Sequence, residues 1–274
     1  MPSEPLWTVR SRCLATRDRG ESVHLLVGTI FRNAAATLVD TVDSVLEQVA
    51  DADLRVTLLL VDDNSTDDWR SRMGARLKSH RVHVRSVRFG SIALSRNFVL
   101  DEVERSFPDV DYVCRLDADD VLAGTDVLRT LGRVLQCDRP DALFASNLQR
   151  RDGVVLPEPN RAVSELLDPH YLCERLRRMA EGDPAAELPS CNTIVRRGLT
   201  LRYPAVASAE DHWFTVSLLL DPIVRVSMAS DLVYAVYNLS GEQTRQNELS
   251  GAYLDSRRAL VQGVQARIGR ANDR

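Results

Sequence analysis

Arg115-Leu116-Asp117-Ala118-Asp119-Asp120 closes the apolar stretch 110–113 and decides how the chain is read. Three carboxylates crowd the end of a predicted buried strand, where charge is costly unless a cation or a polar ligand offsets it. In an open α/β sheet, ligands bind at the carboxyl ends of the strands. The competing reading is a solvated acidic loop in which Thr125 or Asp126 caps a helix starting near Val127. Capping needs one carboxylate, whereas two separated by one residue offer the oxygen ligands a hard divalent cation takes. The rest of the chain decides between the two.

Working outward, short apolar or β-branched runs at 23–30, 55–62, 81–89 and 110–116 alternate with helical patterns. Leu38, Val42, Val45, Leu46 and Val49 fall on one helical face, and Ile92, Val99 and Val103 sketch another. Such alternation predicts a parallel, doubly wound α/β sheet. Downstream the pattern predicts a helix over 127–136, a strand over 142–147, a loop over 151–159 and a helix over 164–180 ended by Gly182-Asp183-Pro184. It continues with a strand over 191–195, a helix over 211–220, strands over 224–228 and 233–237, and a helical tail over 251–270. An added edge strand is expected over 6–14. The expected domains are an extension (1–22), one α/β domain (23–250) and the tail (251–274), without internal repeats.

A length of 274 residues and 44% apolar composition suit one core of catalytic size. A net charge of -4 offers no broad basic surface for nucleic acid. No stretch approaches the ~20 apolar residues of a membrane span. With Glu4 and Asp18 among its arginines, the N-terminus lacks a signal-peptide core, so a cytoplasmic location is expected. Cys13, Cys114, Cys137, Cys173 and Cys191 are odd in number and contain no C-x-x-C pair, which predicts buried thiols rather than a disulfide framework or a zinc cluster. Lys78 is the single lysine among 35 basic residues, which excludes mechanisms needing a second one. No G-x-x-x-x-G-K-[ST] phosphate loop is present. The arginine excess points to a GC-rich bacterial source.

Several stretches end predicted strands or open predicted helices with polar groups. In Asp62-Asp63-Asn64-Ser65-Thr66-Asp67-Asp68, Ser65 and Asp68 form a capping-box pattern and Asn64 suits a tight turn. That leaves Asp62 and Asp63 without a capping role, and a carboxylate there can accept the N–H of a pyrimidine or the hydroxyls of a ribose. In Gly28-Thr29-Ile30-Phe31-Arg32-Asn33, Phe31 is either core or an aromatic that stacks on a base at the mouth. Gly90 to Asn97 opens a helix from which Arg96 reaches a diphosphate, steadies the acidic cluster, or is simply solvated. In Ser208-Ala209-Glu210-Asp211-His212-Trp213, Asp211 is either a plain N-cap or a general base, favoured as an anion by the helix N-terminus and opposed by Glu210. A lone His such as His212 is more often structural than a ligand.

Taken together, these stretches resemble the family 2 glycosyltransferases, nucleotide-sugar-dependent enzymes with the GT-A fold. That fold is a Rossmann-like, mixed, mostly parallel sheet flanked by helices, with acceptor-side elements toward the C-terminus. The resemblance runs in family order from Val23 to Thr244. It implies a donor half over about 23–120 and an acceptor half over about 121–250. Thr29 and Phe31 lie in what looks like the opening nucleotide-contact segment. Asp62 to Asp67 is similar to the D-D-x-S-x-D motif, which implies that Asp63 binds uracil. Gly90 to Asn97 resembles G-x-x-x-A-R-N, with Ser95 in place of the usual alanine and with Arg96 and Asn97 as donor contacts. Asp117-Ala118-Asp119 matches the D-x-D motif, which implies Mn²⁺ or Mg²⁺ held by Asp119 and Asp117, with Asp117 also facing the donor. Glu210-Asp211 matches the E-D motif that carries the base. One departure is Tyr237-Asn238-Leu239-Ser240, where the family often shows Y-R-x-H, so that Ser240 replaces a His able to help hold metal or diphosphate. Thr244 or Arg245 is the expected compensating contact.

The function implied is metal-assisted, inverting transfer of a sugar, UDP-linked by expectation, to an acceptor hydroxyl on a polysaccharide, a lipid-linked sugar or a specialised metabolite. A phosphatase of the haloacid dehalogenase type is a rival, since Asp117 to Leu122 superficially fits its nucleophile loop. That chemistry typically needs a lysine after the loop, and Lys78 precedes it. Sugar nucleotidyltransferases would show a glycine-rich, lysine-containing first loop, which Gly28 to Asn33 is not. From a different class, a catalytically degenerate nucleotide-binding protein acting as partner or regulator is favoured by Ser240 and opposed by intact Asp117, Asp119 and Asp211.

Overall fold

Runs that are apolar without alternation become the central strands, because a strand covered by helices on both faces has no solvent side to pattern. The computed structural model describes residues 22–49, 51–156, 161–206, 208–241 and 251–272. The expected edge strand over 6–14 and the expected contacts from Thr244 and Arg245 lie outside them. The strands are β1 (Val23–Phe31), β2 (Leu54–Asp63), β3 (Val82–Val87), β4 (Tyr112–Arg115), β5 (Val121–Leu122), β6 (Ala142–Arg151), β7 (Val154–Val155), β8 (Ile194–Arg196) and β9 (Val226–Asn238). The α-helices are α1 (Leu38–Leu46), α2 (Trp69–Met73), α3 (Ile92–Ser106), α4 (Val127–Asp138), α5 (Pro169–Ala180), α6 (Glu210–Leu220) and α7 (Ala252–Asn272).

Among the described residues these strands form one sheet in the order β3-β2-β1-β4-β8-β6-β9-β5, with β7 hairpinned onto β6. The first four are parallel, as the alternating pattern predicts. Beyond β4 the sheet turns mixed: β8 runs antiparallel to β4 and β6, and β6 runs parallel to β9. Strand β1 is flanked by β2 on one side and β4 on the other, so the chain winds outward in both directions from that pair. A crevice opens there at the strand ends, the topological switch point of a doubly wound sheet. One face buries Leu25, Val27, Leu58 and Leu60 under α1 and α4; the other buries Leu26, Leu59 and Val61 under α3 and α6. A smaller cluster joins α5, α6 and α7 through Leu176, Val216 and Leu260. Among the described residues, no helix is long and apolar enough to cross a membrane.

The structure departs from local pattern where distant groups compete for the backbone. Helix α1 stops at Leu46 because Gln48 turns away to bond the Gly124 carbonyl (2.6 Å) and to accept the Leu128 N–H (3.0 Å). Gln48 thereby does the capping work expected of Asp126, whose carboxylate makes no cap bond. The helix expected over 164–180 is broken at Asp168, since the residue before a proline disfavours the α conformation; Asp168 instead accepts the His170 N–H at 2.8 Å. The loop expected over 151–159 contains β7, returned by a turn in which Asp152 (φ 49°) and Gly153 (φ 82°) are both left-handed. The two strands expected after Pro222 are one bulged strand, β9. Cys114 and Cys191 are buried thiols and Cys173 is half-buried, whereas Cys137 is disulfide-bonded, against the expectation of a free thiol.

Gly28 is the residue on β1 that lets α3 approach the crevice: a Cβ there would stand 2.6 Å from Val99 Cγ1. Gly28→Ala should therefore cost about 1–3 kcal/mol through overpacking. The expected readout is a fall of several degrees in the thermal midpoint followed by circular dichroism, partly restored by adding Val99→Ala.

Candidate active site

The acidic run lies at the switch point. Arg115 ends β4, and the loop after it carries Asp117, Asp119 and Asp120 across the crevice mouth. Several groups drawn from far along the chain fasten that loop. Thr37 donates its hydroxyl to the Ala118 carbonyl (2.8 Å), the Asn238 N–H donates to Asp120 Oδ1 (2.8 Å), and Asn192 Nδ2 donates to Asp120 Oδ2 (3.0 Å).

Two buried guanidinium groups neutralise Asp117. Arg115 embraces Asp117, with Nε 2.8 Å from Oδ1 and Nη2 on Oδ2. Arg96, from the second turn of α3, reaches Asp117 Oδ2 at 3.3 Å with Nη2 and binds Glu210 with Nη1. Nη1 of Arg115 donates to the Ser190 carbonyl (3.2 Å) and stands 3.6 Å from Asp211 Oδ2. The result is a continuous charge chain, Glu210–Arg96–Asp117–Arg115–Asp211, linking the ends of α3, β4 and α6. Burial pushes the Asp117 pKa upward, but Arg115 and Arg96 outweigh it and hold the carboxyl below the usual carboxylate range. For Asp211 burial is likewise outweighed, by the charges of His212, Arg115 and Arg96, so its pKa is lowered. Asp211 is not the N-cap of α6: that position is Ala209, held at φ 60°, and Asp211 Oδ1 accepts the His212 N–H at 2.9 Å. The carboxylate is thus left beside Arg115, which plain capping would not require.

Asp119 and Asp120 sit at the other end of the electrostatic scale. Burial and the charge of Asp117 push the Asp119 pKa up to about 6, and burial with the charges of Asp119 and Asp117 drives Asp120 well above its ordinary value. Among the described residues, no three or more His, Cys, Asp or Glu side chains are grouped to hold a metal ion. Both Asp117 oxygens face guanidinium groups, whereas Asp119 is approached by Asn238 Nδ2 at 3.5 Å and feels Arg150 and Arg115 from further off. A carboxylate whose ionisation its surroundings resist, with a second beside it, fits a hard cation that brings phosphate oxygens as its remaining ligands.

The other residues singled out from sequence are less uniform in placement. Asp63 is buried at the end of β2; its Oδ1 accepts the Phe89 and Gly90 N–H groups (2.8 and 3.1 Å) and its Oδ2 the Ser95 hydroxyl (3.0 Å). Thr29 is fully buried, and its hydroxyl has no hydrogen-bond partner among the described residues. Phe31 packs edge-on against Trp69 with centroids 4.8 Å apart. Asn97 is engaged at both ends of its amide with the Tyr203 backbone (2.9 and 2.8 Å). The capping box expected of Ser65 and Asp68 does not form: the Ser65 hydroxyl accepts the Asn33 N–H at 2.9 Å, Asp68 makes no side-chain cap bond, and Asn64 makes the expected turn at φ 61°. Ser240 bonds Asp152 in the β6–β7 turn, through its N–H at 2.8 Å and its Oδ1 at 3.2 Å. Arg115, Asn192 and Asn238 escaped sequence reasoning as site residues. A basic residue two positions before the acidic pair was the available signal for Arg115; an Asn opening an apolar strand was the signal for Asn192.

The sequence profile described as Glycosyl transferase family 2 matches residues 26–202, a span that includes the acidic run and stops short of Glu210 and Asp211. No curated relative matches. Among solved structures, residues 1–349 of S. aureus TarS in complex with UDP-GlcNAc superpose with a TM-score of 0.59 at 19% identity, covering 81% of this chain and 61% of that one. Full-length S. aureus TarS gives a TM-score of 0.57 at 20% identity over 82% of this chain and 38% of its own. The mannosyltransferase PcManGT from Pyrobaculum calidifontis, in complex with GDP-Man and Mn²⁺, gives 0.52 at 17% identity over 81% of this chain and 61% of that one. The chain thus spans about three fifths of the length of two of these structures and 38% of full-length TarS, and at such identities the likeness shows the fold, GT-A.

Because the folded protein resists ionisation of Asp119, its carboxylate subtracts stability above pH 6, and the penalty disappears as pH falls toward the ordinary value of 3.8. Asp119→Asn should therefore raise stability at pH 7.5 by on the order of 1–3 kcal/mol and change it little at pH 4. Thermal midpoints of both proteins across that range provide the check; a gain independent of pH would contradict the assignment.

Proposed function

Because the chain belongs to glycosyl transferase family 2, we propose that it moves a sugar from a nucleoside diphosphate sugar to an acceptor hydroxyl with inversion at the anomeric carbon. The observation that carries this reading is Arg115, whose one guanidinium faces both Asp117 and Asp211 and so joins the acidic run to a helix-borne carboxylate.

In this reading the donor half, about residues 23–120, binds the nucleotide. Asp63, its carboxylate oriented by three protein donors, accepts the ring N–H of uracil; UDP is the first choice of nucleotide, supported by the UDP-GlcNAc held by TarS. Thr29, Phe31 and Asn97 belong to the surrounding segments, Thr29 with a buried hydroxyl that lacks a partner. Arg96 offers charge to the diphosphate, since its Nη2 contact with Asp117, 3.3 Å, is long enough to be exchanged for phosphate oxygens. Asp119, with Asp117 beside it, would hold Mn²⁺ or Mg²⁺, which when bound would supply positive charge against that developing on the departing diphosphate. Asp211 is ionised at neutral pH and takes the proton of the acceptor hydroxyl as that oxygen attacks the face opposite the diphosphate. Glu210 holds Arg96 in line from the neighbouring position. The acceptor is received by the half from about 121 to 250, its chemistry a sugar or metabolite hydroxyl.

Calorimetric titration with UDP, GDP and dTDP, with and without Mn²⁺, tests the donor site. One nucleotide should bind tightly, and the binding should weaken without metal and in Asp119→Ala. Absence of binding to all three under both conditions would leave a degenerate GT-A scaffold as the better account. Asp211→Asn should lose at least ~10²-fold in transfer rate while retaining UDP affinity; near-full turnover by that variant would remove Asp211 as the base.

A further inference from the structure

Three carboxylates within four residues repel one another, so the loop over 117–120 keeps one shape only if outside groups hold it. Thr37 and the Asn238 backbone each grip a single oxygen, on Ala118 and Asp120. Asn192 grips the loop at both ends: its Oδ1 accepts the Asp117 N–H at 3.3 Å, and its Nδ2 donates to Asp120 Oδ2 at 3.0 Å. The side chain is buried, 2% exposed, and enters from the residues leading into β8, far along the chain from the loop it clamps.

Two independent demands meet at this position. The backbone is left-handed, φ 58°, a conformation that glycine and asparagine adopt with least cost. The side chain must also accept at one end and donate at the other, which an amide does and a carboxylate does not. Glycine meets the first demand and fails the second, so the conformational role and the clamping role can be separated by substitution.

We propose that Asn192 is a positioning residue for donor binding, fixing the spacing of Asp117 and Asp120 and with it the aim of Asp119 between them; the proposal rests on the glycosyl-transfer reading above. It touches neither donor nor acceptor and acts through the loop.

The test compares wild type, Asn192→Gly and Asn192→Asp by thermal midpoint, by hydrogen exchange of the amides over 116–120, and by calorimetry with UDP in the presence of Mn²⁺. Asn192→Gly should keep a midpoint within a few degrees of wild type, exchange the loop amides faster, and bind UDP about 10–100-fold more weakly, the usual cost of removing support behind a metal-binding carboxylate. Asn192→Asp, which keeps the acceptor but turns the donor into a carboxylate facing Asp120, should bind as poorly, and it carries the test should the glycine variant not fold. Wild-type exchange and wild-type affinity in either folded variant would overturn the assignment while leaving the glycosyl-transfer reading intact. A wild-type protein that binds no nucleoside diphosphate would overturn that reading, and this assignment with it.

Discussion

The ion pair between Arg115 and Asp117 is the contact on which the rest of the site depends. Both groups are largely withdrawn from water at the end of β4, and a buried charge survives only when paired and hydrogen-bonded. The pairing propagates in two directions. Arg96 carries it through α3 to Glu210, and Asp211 receives it from Arg115, both arms ending on the first turn of α6, so that no link can be removed without stranding its neighbour. For Arg115, burial opposes the charge and Asp117 with Asp211 more than restore it. A chain of alternating signs of this kind holds three secondary-structure elements in register at the mouth of the crevice.

The same pairing divides the carboxylates by task. Asp117 and Asp211, beside guanidinium groups, stay ionised. For Asp119 burial and the charge of Asp117 outweigh Arg150 and Arg115, and for Asp120 burial and the charges of Asp119 and Asp117 prevail, so the ionisation of both is resisted. The imbalance within one short loop explains why it needs so many tethers to groups elsewhere in the chain. Gly28 contributes beneath it: without a side chain at that point of β1, α3 settles close enough for Arg96 to reach across to Asp117.

How far the sequence could be read depended on the range of the forces involved. Strands β1 and β2 were legible because burial on both faces writes an unbroken apolar run, and the parallel half of the sheet followed from the alternation of such runs with helical faces. The acidic run and Glu210-Asp211 were legible as charge at predicted strand and helix ends. Local rules failed where a remote group outbid a near one: Ser65 serves Asn33 rather than its own helix, Gln48 displaces Asp126 as the cap of α4, and Pro169 splits a pattern that looked continuous.

By itself, then, the sequence determined the fold class and the identity of the charged clusters, since hydrophobic periodicity and the cost of burying charge act within a few residues. The tertiary structure alone decided which cluster meets which. Arg115 faces Asp211, Asn192 bridges Asp117 and Asp120, and Asn238 closes on Asp120 because β4, β8, α6 and β9 converge on one crevice, and no local pattern records which distant strand ends come to lie side by side.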